Sequence, residues 1–349
     1  MKKALILLMG VFFSTIGYAQ DELRRLIGEG IVLHDKGDYE GAIVKYDAAL
    51  KLDPVNAEAK YEKSYTLIEL KKFQEAIELS ESLLNECKDP KYRQLAFVNY
   101  GNALDYRGEG EKAEAMYNKG IKEFPDSYLL FFNKEISQTG MNKSVEAIES
   151  FQQSVTLNPM HASSHNALAR SQYDKNRIPS ILVFFTFLII EPTGKRAEKN
   201  LELLNTLLFK GISKEENGNI TISIDPGVLD KKKKNKDDDF SSAELVLSLM
   251  GADNSVADSL GAKTEADRLD YKMGLLTGMI DEAKKNKDKG FFKRFYIPVM
   301  VEMKAKGFVK TASYIAMQSA GNSDITEWVK KNNDKVEEFY TWFRGYWKK

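Results

Sequence analysis

The side chains that most often carry out chemistry are few in this sequence and are poorly placed for it. Two of the three histidines, His161 and His165, are four residues apart and would share one face of a helix. A zinc hydrolase motif requires a glutamate directly after the first histidine, and Ala162 stands there instead. No glycine-rich phosphate loop precedes a helix, and no pattern pairs the carboxylates. We therefore predict no catalytic residue, no metal site and no cofactor.

Cys87 is the only cysteine, so the chain cannot form an intramolecular disulfide. An unpaired thiol in an oxidising compartment can react or bridge to another chain. The alternative is a small residue in a turn between two helices, without a chemical role. In both cases the stability of the fold must come from a packed core.

The elements around these residues repeat along the chain. Ala42 and Ala76 are 34 residues apart in similar surroundings, and Ala113 and Ala147 have the same spacing. A period of 34 residues fits two antiparallel helices with their turns, and such a unit buries its apolar face only when a neighbour stacks on it. Small residues are needed where two helices cross at about 8–10 Å. The spacing therefore predicts a helical solenoid, for which binding is a better first hypothesis than catalysis.

Other residues recur at fixed distances from these alanines. In two units a small residue in the first helix is followed by an alanine, an aromatic and a second small residue in the second helix, and by a proline at the exit. These residues are Gly30, Ala42, Tyr46, Ala49 and Pro54 in the first unit, and Gly101, Ala113, Tyr117, Gly120 and Pro125 in the third. The pattern resembles the tetratricopeptide repeat (TPR) family. The resemblance covers about residues 21–194 and implies about five repeats.

The other units depart from this pattern. The second has Ser80 where an aromatic is expected, and its exit is longer, so that the next alanine follows after 37 residues. The fourth has Glu135 at the small position of its first helix, which leaves the register of that helix open. The fifth has Ile181 in place of the alanine, within the uniformly apolar segment 180–190. A helix without a polar face must be covered on both sides. We interpret this segment as the second helix of the fifth repeat, with a buried β-strand as the alternative.

The resemblance to TPR proteins also implies a binding surface, because their first helices line a concave groove. Carried over to this sequence, the candidate partner-binding residues are Ile27, Ile31, His34, Tyr61, Tyr65, Asn102, Asp105, Asn166, Arg170 and Tyr173. Members that clamp a terminal carboxylate use lysine and asparagine near the start of the groove, where this chain has isoleucine and tyrosine. An apolar or amphipathic protein or peptide segment is therefore the expected partner. The alternative is that the chain fills the groove with its own N-terminal stretch or C-terminal half.

The first 19 residues are typical of a signal peptide. Lys2 and Lys3 precede an apolar stretch from Ala4 to Ile16, and small residues lead to a cleavage site after Ala19. The apolar run is shorter than the ~20 residues that a membrane span requires, which disfavours an uncleaved anchor. We expect export to the periplasm, with an extracellular location as the alternative, and no stable membrane span after cleavage.

The chain beyond residue 194 has a different composition. Ala197–Lys210 has a helical pattern, and the alternation at Ile220–Ile224 between turn signals predicts a short β-strand or hairpin. Adjacent basic and acidic runs in 231–239 are typical of a solvated loop, with a phosphate or lipid-headgroup site as the alternative. Helical patterns then return, and aromatics at three- and four-residue spacing in 328–347 indicate a core stripe.

The balance of charge adds to the prediction of fold and partners. The chain has 51 basic and 51 acidic residues, and this balance gives no reason to expect nucleic acid as a partner. We predict an all-α protein: a signal peptide (1–19), an α-α superhelical TPR solenoid (20–194) and a mainly helical C-terminal domain (195–349). Its expected role is that of an exported, non-enzymatic scaffold whose groove binds a protein segment during cell-envelope assembly or secretion. The alternative is an enzyme or small-ligand receptor with a site between the two domains.

Overall fold

The computed structural model describes the backbone of residues 2–210, 212–214, 220–222, 238–250, 254–282 and 290–348. Side chains are described for 19–210, 238–249, 254, 257–279 and 290–348. The chain forms two compact units, Met1–Leu157 (unit 1) and Asn158–Lys349 (unit 2). No helix within the described residues is long and apolar enough to cross a membrane. The predicted boundary between residues 194 and 195 concerns the end of the repeats, and it stays a prediction.

Unit 1 consists of helices that follow one another in pairs. They are α1 (Lys2–Asp35), α2 (Tyr39–Leu52), α3 (Ala57–Glu69), α4 (Phe73–Glu86), α5 (Pro90–Tyr106), α6 (Gly110–Glu123), α7 (Tyr128–Gly140) and α8 (Ser144–Leu157). Each helix packs on the next, and the first helices α1, α3, α5 and α7 also contact one another in that order. This is the arrangement of a helical-repeat solenoid, so the predicted fold class is confirmed.

Glycines in the first helices let the second helices approach closely. A methyl group added to Gly30 would clash with the Tyr46 ring, and one added to Gly101 would clash with the Tyr117 ring. Both tyrosines are buried in the core. A side chain at either glycine would overpack this contact, at a cost of about 1–3 kcal/mol. The glycines are therefore structural, as the repeat pattern predicts.

The fourth repeat has a glutamate at this position and still keeps the register. Glu135 lies 34 residues after Gly101, inside α7, and its side chain is fully buried. Neither carboxyl oxygen has a hydrogen-bond partner among the described residues. Burial favours the neutral acid and raises the pKa of Glu135 to about 12. The helix therefore accommodates a protonated carboxyl group where its neighbours have a small residue.

Polar side chains set the start of several helices. Asp38 accepts a hydrogen bond from the backbone N–H of Gly41 at the start of α2 (3.0 Å), and Asn56 accepts one from Ala59 at the start of α3 (3.0 Å). Such caps satisfy amide groups that have no partner within the first turn. Pro54 stands just beyond the end of α2, where it prevents the helix from continuing.

Unit 2 begins with α9 (Ala162–Gln172), α10 (Arg177–Ile190) and α11 (Lys195–Leu208), followed by the strands β1 (Ile212–Lys214) and β2 (Ile220–Ile222). The later helices are α12 (Ser241–Met250), α13 (Ser255–Ser259), α14 (Glu265–Glu282), α15 (Phe291–Ala305), α16 (Val309–Ala316), α17 (Ser323–Lys331) and α18 (Asn333–Tyr346), with a 3₁₀ turn at Gln318–Ala320. The helix predicted at Ala197–Lys210 corresponds to α11.

The uniformly apolar segment is a helix and not a strand. All side chains from Arg177 to Ile189 in α10 are buried. Helix α10 packs on α9 and α11, and it also contacts α12, α15 and α16. A helix without a polar face is stable only when neighbours cover it on all sides, and these five helices provide that cover. The helical interpretation of residues 180–190 is confirmed.

The segment between α11 and α12 is described only in part. Strands β1 and β2 pair antiparallel, with Ile212 opposite Ile222, so the predicted hairpin is confirmed as far as Ile222. Residues 231–237 of the charged run lie outside the described residues. At the end of that run, Asp239 Oδ1 accepts a hydrogen bond from the first backbone N–H of α12 (2.9 Å).

The aromatic stripe near the C-terminus is a packed core, as predicted. Phe339 and Phe343 of α18 are fully buried, and their ring centroids lie 5.5 Å apart. The hydroxyl of Tyr340 donates a hydrogen bond to the backbone C=O of Ile189 in α10 (3.0 Å). The last helix is thereby attached to the buried helix of the same unit.

Candidate protein-binding surface

A row of aromatic rings crosses the first helices of unit 1. The ring centroids of His34 on α1 and Tyr65 on α3 are 4.9 Å apart, and the rings stack. Tyr61 and Tyr65 are nearly parallel at 6.4 Å, and Tyr61 lies 6.4 Å from Tyr92 on α5. We call these four residues the aromatic row. The repeat register predicted three of them, and the structure brings those three together.

Tyr92 was missed by the repeat register, and the irregular second repeat explains its position. The alanines of the second and third repeats are 37 residues apart rather than 34. Helix α5 has 17 residues, against 13 in α3, and the additional residues extend it at its start. About one extra helical turn places Tyr92 next to Tyr61. The altered spacing is therefore the sequence signal that could have identified this residue.

His34 is held at one end of the aromatic row by a hydrogen bond. Thr66 Oγ1 donates to the backbone C=O of Glu62 (2.9 Å), so it accepts from Nδ1–H of His34 (2.8 Å). This pattern assigns a proton to Nδ1 of His34. The Tyr39 ring also meets the His34 ring edge-on, with the ring centroids 5.1 Å apart. The orientation of the imidazole is thus fixed by contacts on two sides.

Four further predicted residues of unit 1 support this surface. Ile27 is buried in the core below α1, and Ile31 packs against the same core. Asn102 Oδ1 accepts a hydrogen bond from the Tyr117 hydroxyl (2.7 Å), and Asp105 accepts one from a serine hydroxyl of α7 (2.7 Å). These contacts hold neighbouring helices in place, so the four residues contribute mainly to the packing of the first helices that carry the aromatic row.

Carboxylates surround the aromatic row. Glu62 is half-buried, and burial, followed by the charges of Glu58 and Asp35, raises its pKa to about 7. Burial and then the charge of Glu69 raise the pKa of Tyr65. A carboxyl group gains a proton more easily when it is desolvated beside other negative charges. The acids around the rings therefore repel one another, a feature that the repeat pattern alone did not show.

The three predicted residues in unit 2 take part in internal packing. Asn200 of α11 is fully buried; its Nδ2 donates to Asn166 Oδ1 (3.0 Å), and Arg170 Nη2 donates to its Oδ1 (3.1 Å). The Tyr173 ring meets the Phe184 ring edge-on, with centroids 6.3 Å apart. The register again places these side chains on one side of a first helix. In unit 2 a neighbouring helix of the same unit already contacts that side.

The histidine pair noted in the sequence lies in unit 2. His165 is fully buried; its Nε2–H donates to the backbone C=O of Pro159 (2.9 Å), and its Nδ1 accepts from the Tyr296 hydroxyl (2.9 Å). Burial is the main cause that lowers the pKa of His165 to about 4, so the ring is neutral at pH 7. Both ring nitrogens are thus engaged in hydrogen bonds. Within the described residues, no cluster of three His, Cys, Asp or Glu could hold a metal ion.

Unit 2 also has an open cleft of about 420 Å³ along α14. Asp270, Gly274 and Lys304 are among its lining residues, and Lys304 Nζ donates to the backbone C=O of Gly274 (3.0 Å). Neither Arg170 nor Tyr173, the predicted groove residues at the end of α9, lines this cleft.

These features define a helical-repeat protein with an exposed aromatic surface on its first helices. Residues 30–63 match the family model of the TPR repeat, so the recognition of this repeat is confirmed. No curated protein sequence matches the chain.

Several solved structures are similar to part of the chain. A thermophilic TPR protein of Thermus thermophilus is 19% identical with a TM-score of 0.46, over 52% of this chain and 99% of that one. PilF of Pseudomonas aeruginosa is 18% identical with a TM-score of 0.44, over 54% and 90%. PilW, a type IV pilus biogenesis factor, is 19% identical with a TM-score of 0.44, over 52% and 86%. Similarities of this size carry no functional argument.

Proposed function

We propose that this chain is a non-enzymatic scaffold that holds a segment of another protein against the first helices of unit 1. The aromatic row is the observation that carries the proposal. Its rings lie on three successive first helices, α1, α3 and α5, and Tyr65 is 38% exposed. On the first helices α5 and α7, Tyr106 is 67% and Ile136 is 45% exposed. Exposed apolar side chains that gather on one side of a fold often mark an interaction surface, and we infer such a surface on the first helices.

The positions of these residues support a peptide-like partner. Tyr65 and Ile136 occupy equivalent places in the second and fourth repeats, directly after the position of Ser64 and Glu135. On α5, between these two helices, the exposed side chain is Tyr106. An elongated segment that runs across α3, α5 and α7 would meet one exposed side chain on each of them. Side chains that recur along neighbouring helices give such a segment several anchor points.

We further propose that the protein acts after export, in the periplasm, in cell-envelope assembly or secretion. The support is the pattern of two lysines, an apolar stretch and small residues before Ala19. Helix α1 continues beyond this point, and its later part contributes Ile27 to the core and His34 to the aromatic row. Cleavage would thus leave the proposed surface complete. N-terminal sequencing of the protein from a periplasmic fraction is expected to begin at Gln20, and a chain that begins at Met1 in the membrane fraction would contradict this.

The binding proposal can be tested by affinity capture from the cell envelope. The test variant is Tyr61→Ala with Tyr65→Ala, which removes the middle of the aromatic row. The matched control is Val44→Ser with Val55→Ser, two exposed apolar residues on α2 and just after it. We expect the control to capture the same partners as the wild type and the tyrosine variant to lose them. Capture of the same partners by all three proteins would refute the proposal.

A further inference from the structure

We propose that the segment bound at the aromatic row is basic, with arginine or lysine side chains that lie on the tyrosine rings and pair with the surrounding carboxylates. This inference rests on the proposed function and adds the chemistry of the partner. The sequence predicted an apolar or amphipathic segment. The contacts of α3 and its neighbours indicate that this segment also carries positive charge.

Helix α3 keeps its own lysines away from the aromatic row. Lys60 Nζ pairs with Glu86 on α4 (2.6 Å), and Lys63 Nζ pairs with Asp47 on α2 (2.6 Å). Both carboxylates belong to second helices, so these cations are neutralised within the packing of the solenoid. They are not free to balance the acids beside the rings.

The carboxylates beside the aromatic row lack such partners. Asp35, Glu58, Glu62 and Glu69 form no ion pair within the described residues, whereas other surface acids of unit 1 do. The charges that act most strongly on Glu62 are those of two other acids, and Lys91 opposes them with a smaller effect. A partner cation would relieve this repulsion, whereas an acidic segment would increase it. Charge complementarity therefore selects a basic occupant.

The tyrosine rings provide the second part of the recognition. An ammonium or guanidinium group binds the face of an aromatic ring when it lies within about 6 Å of the centroid. Lys91 already makes this contact at one end of the row, with its Nζ 4.8 Å from the centroid of the Tyr92 ring. Tyr61 and Tyr65 lie next along the row, beside Glu62. Arginine suits this combination well, because its planar group stacks on a ring while its N–H groups donate to a carboxylate.

The test measures binding of a defined peptide to the full chain without its leader. The probe is a fluorescent, end-capped peptide rich in arginine, lysine and leucine, and the comparison peptide has glutamine at every basic position. The test variant is Glu58→Gln with Glu62→Gln and Glu69→Gln. The matched control is Glu75→Gln with Glu81→Gln and Glu146→Gln, which changes the net charge equally at exposed residues of second helices α4 and α8.

We expect the wild type to bind the basic peptide and to bind the glutamine peptide at least about tenfold more weakly. The test variant should lose about tenfold in affinity for the basic peptide, and the control should lose less than about twofold. Added salt should weaken binding to the wild type more than binding to the test variant. Equal affinity for the two peptides, or equal losses in the two variants, would overturn the inference.

The outcomes also separate this inference from the proposed function. If partner capture depends on Tyr61 and Tyr65 while the two peptides bind equally, the scaffold proposal stands and the basic partner is refuted. If the basic peptide binds the Tyr61→Ala, Tyr65→Ala variant as well as it binds the wild type, the aromatic row is not its site and the inference fails.

Discussion

Helix α3 in unit 1 and helix α9 in unit 2 are both first helices, yet they use equivalent positions differently. On α3, Tyr61 and Tyr65 stack with rings of neighbouring first helices, and Tyr65 stays partly exposed. On α9, Asn166 and Arg170 stand at the same places in the repeat and bond to the buried Asn200. The register determines the side on which a residue lies, and the next helix in space determines whether that side is free.

This difference separates first-helix side chains that stabilise the fold from first-helix side chains that are available for binding. In unit 2 the polar side chains of α9 satisfy an amide that would otherwise be buried without a partner. In unit 1 the equivalent side chains are not required by the packing of the next helix. We therefore expect substitutions on α9 and α11 to change stability, and substitutions on the exposed side of α3 to change binding.

The largest expected loss of stability from a substitution concerns how α1 is held in unit 1. Gly30→Ala should lower the free energy of unfolding by about 1–3 kcal/mol, because the added methyl group would meet the Tyr46 ring. Gly28→Ala on the same helix is the matched control, since a methyl group there meets nothing within 4 Å. It should raise stability by up to about 1 kcal/mol through helix propensity. Urea denaturation measures both, and equal effects would show that the close Gly30–Tyr46 contact does not hold α1.

The comparison of the two first helices is tested by a second pair of variants. Asn200→Ala should destabilise the protein by about 1–3 kcal/mol, because Asn166 loses the hydrogen bond to a buried amide. Tyr65→Ala should cost less than about 1 kcal/mol, because the ring is partly exposed and contributes mainly stacking. Thermal and urea unfolding measure both costs. A larger loss for Tyr65→Ala would contradict the assignment of α3 as the free side.

The buried acid of the fourth repeat gives a pH-dependent prediction. The pKa of Glu135 in the folded protein, about 12, lies above its ordinary value of 4.5, so the folded state keeps a proton that the unfolded chain releases. The contribution of Glu135 to stability should therefore fall as pH rises above about 5, by at most about 1.4 kcal/mol per pH unit. Glu135→Gln does not titrate, so its stability relative to the wild type should increase between about pH 5.5 and about pH 8.5. A constant difference over that range would show that Glu135 is ionised when folded.

The smallest expected effect is the pH dependence of peptide binding at the aromatic row. The pKa of Glu62 is raised to about 7 by burial and by Glu58 and Asp35, and a bound cation would favour the ionised form. Affinity for the basic peptide should therefore rise a few-fold from about pH 6 to about pH 8. Glu62→Gln should reduce this rise, while His34 and Lys91, which also face the site, remain in both proteins. An unchanged pH profile in the variant would remove Glu62 from the binding surface.

Much of this architecture was predictable because it follows from local and periodic signals. The 34-residue spacing and the glycine–tyrosine pairs specify the helix pairs of unit 1, and the absence of a polar face in residues 180–190 specifies a buried helix. Three members of the aromatic row follow from the same register. These features depend on each helix and its immediate neighbours in sequence.

The remaining features depend on contacts that a period cannot describe. Tyr92 reaches the aromatic row because α5 starts about a turn earlier than the period implies. The polar side of α9 is occupied because Asn200 comes from a helix some 30 residues further along the chain. The charge around Glu62 depends on which lysines of α3 find partners on second helices. A repeat pattern predicts the side of a helix on which a residue lies. Whether another helix covers that side, and which charges surround it, depends on contacts between residues that are distant in sequence.

Binding of another protein's segment to the exposed side of α3 can be tested in living cells. A photo-crosslinking amino acid is placed at position 65, with position 170 on α9 as the matched comparison, and the cells are irradiated. We expect a crosslink from position 65 to a basic segment of a different protein, and from position 170 only to this chain. A crosslink from position 65 to this chain's own N-terminal or C-terminal part would contradict the proposal, because the surface would then be filled by the protein itself.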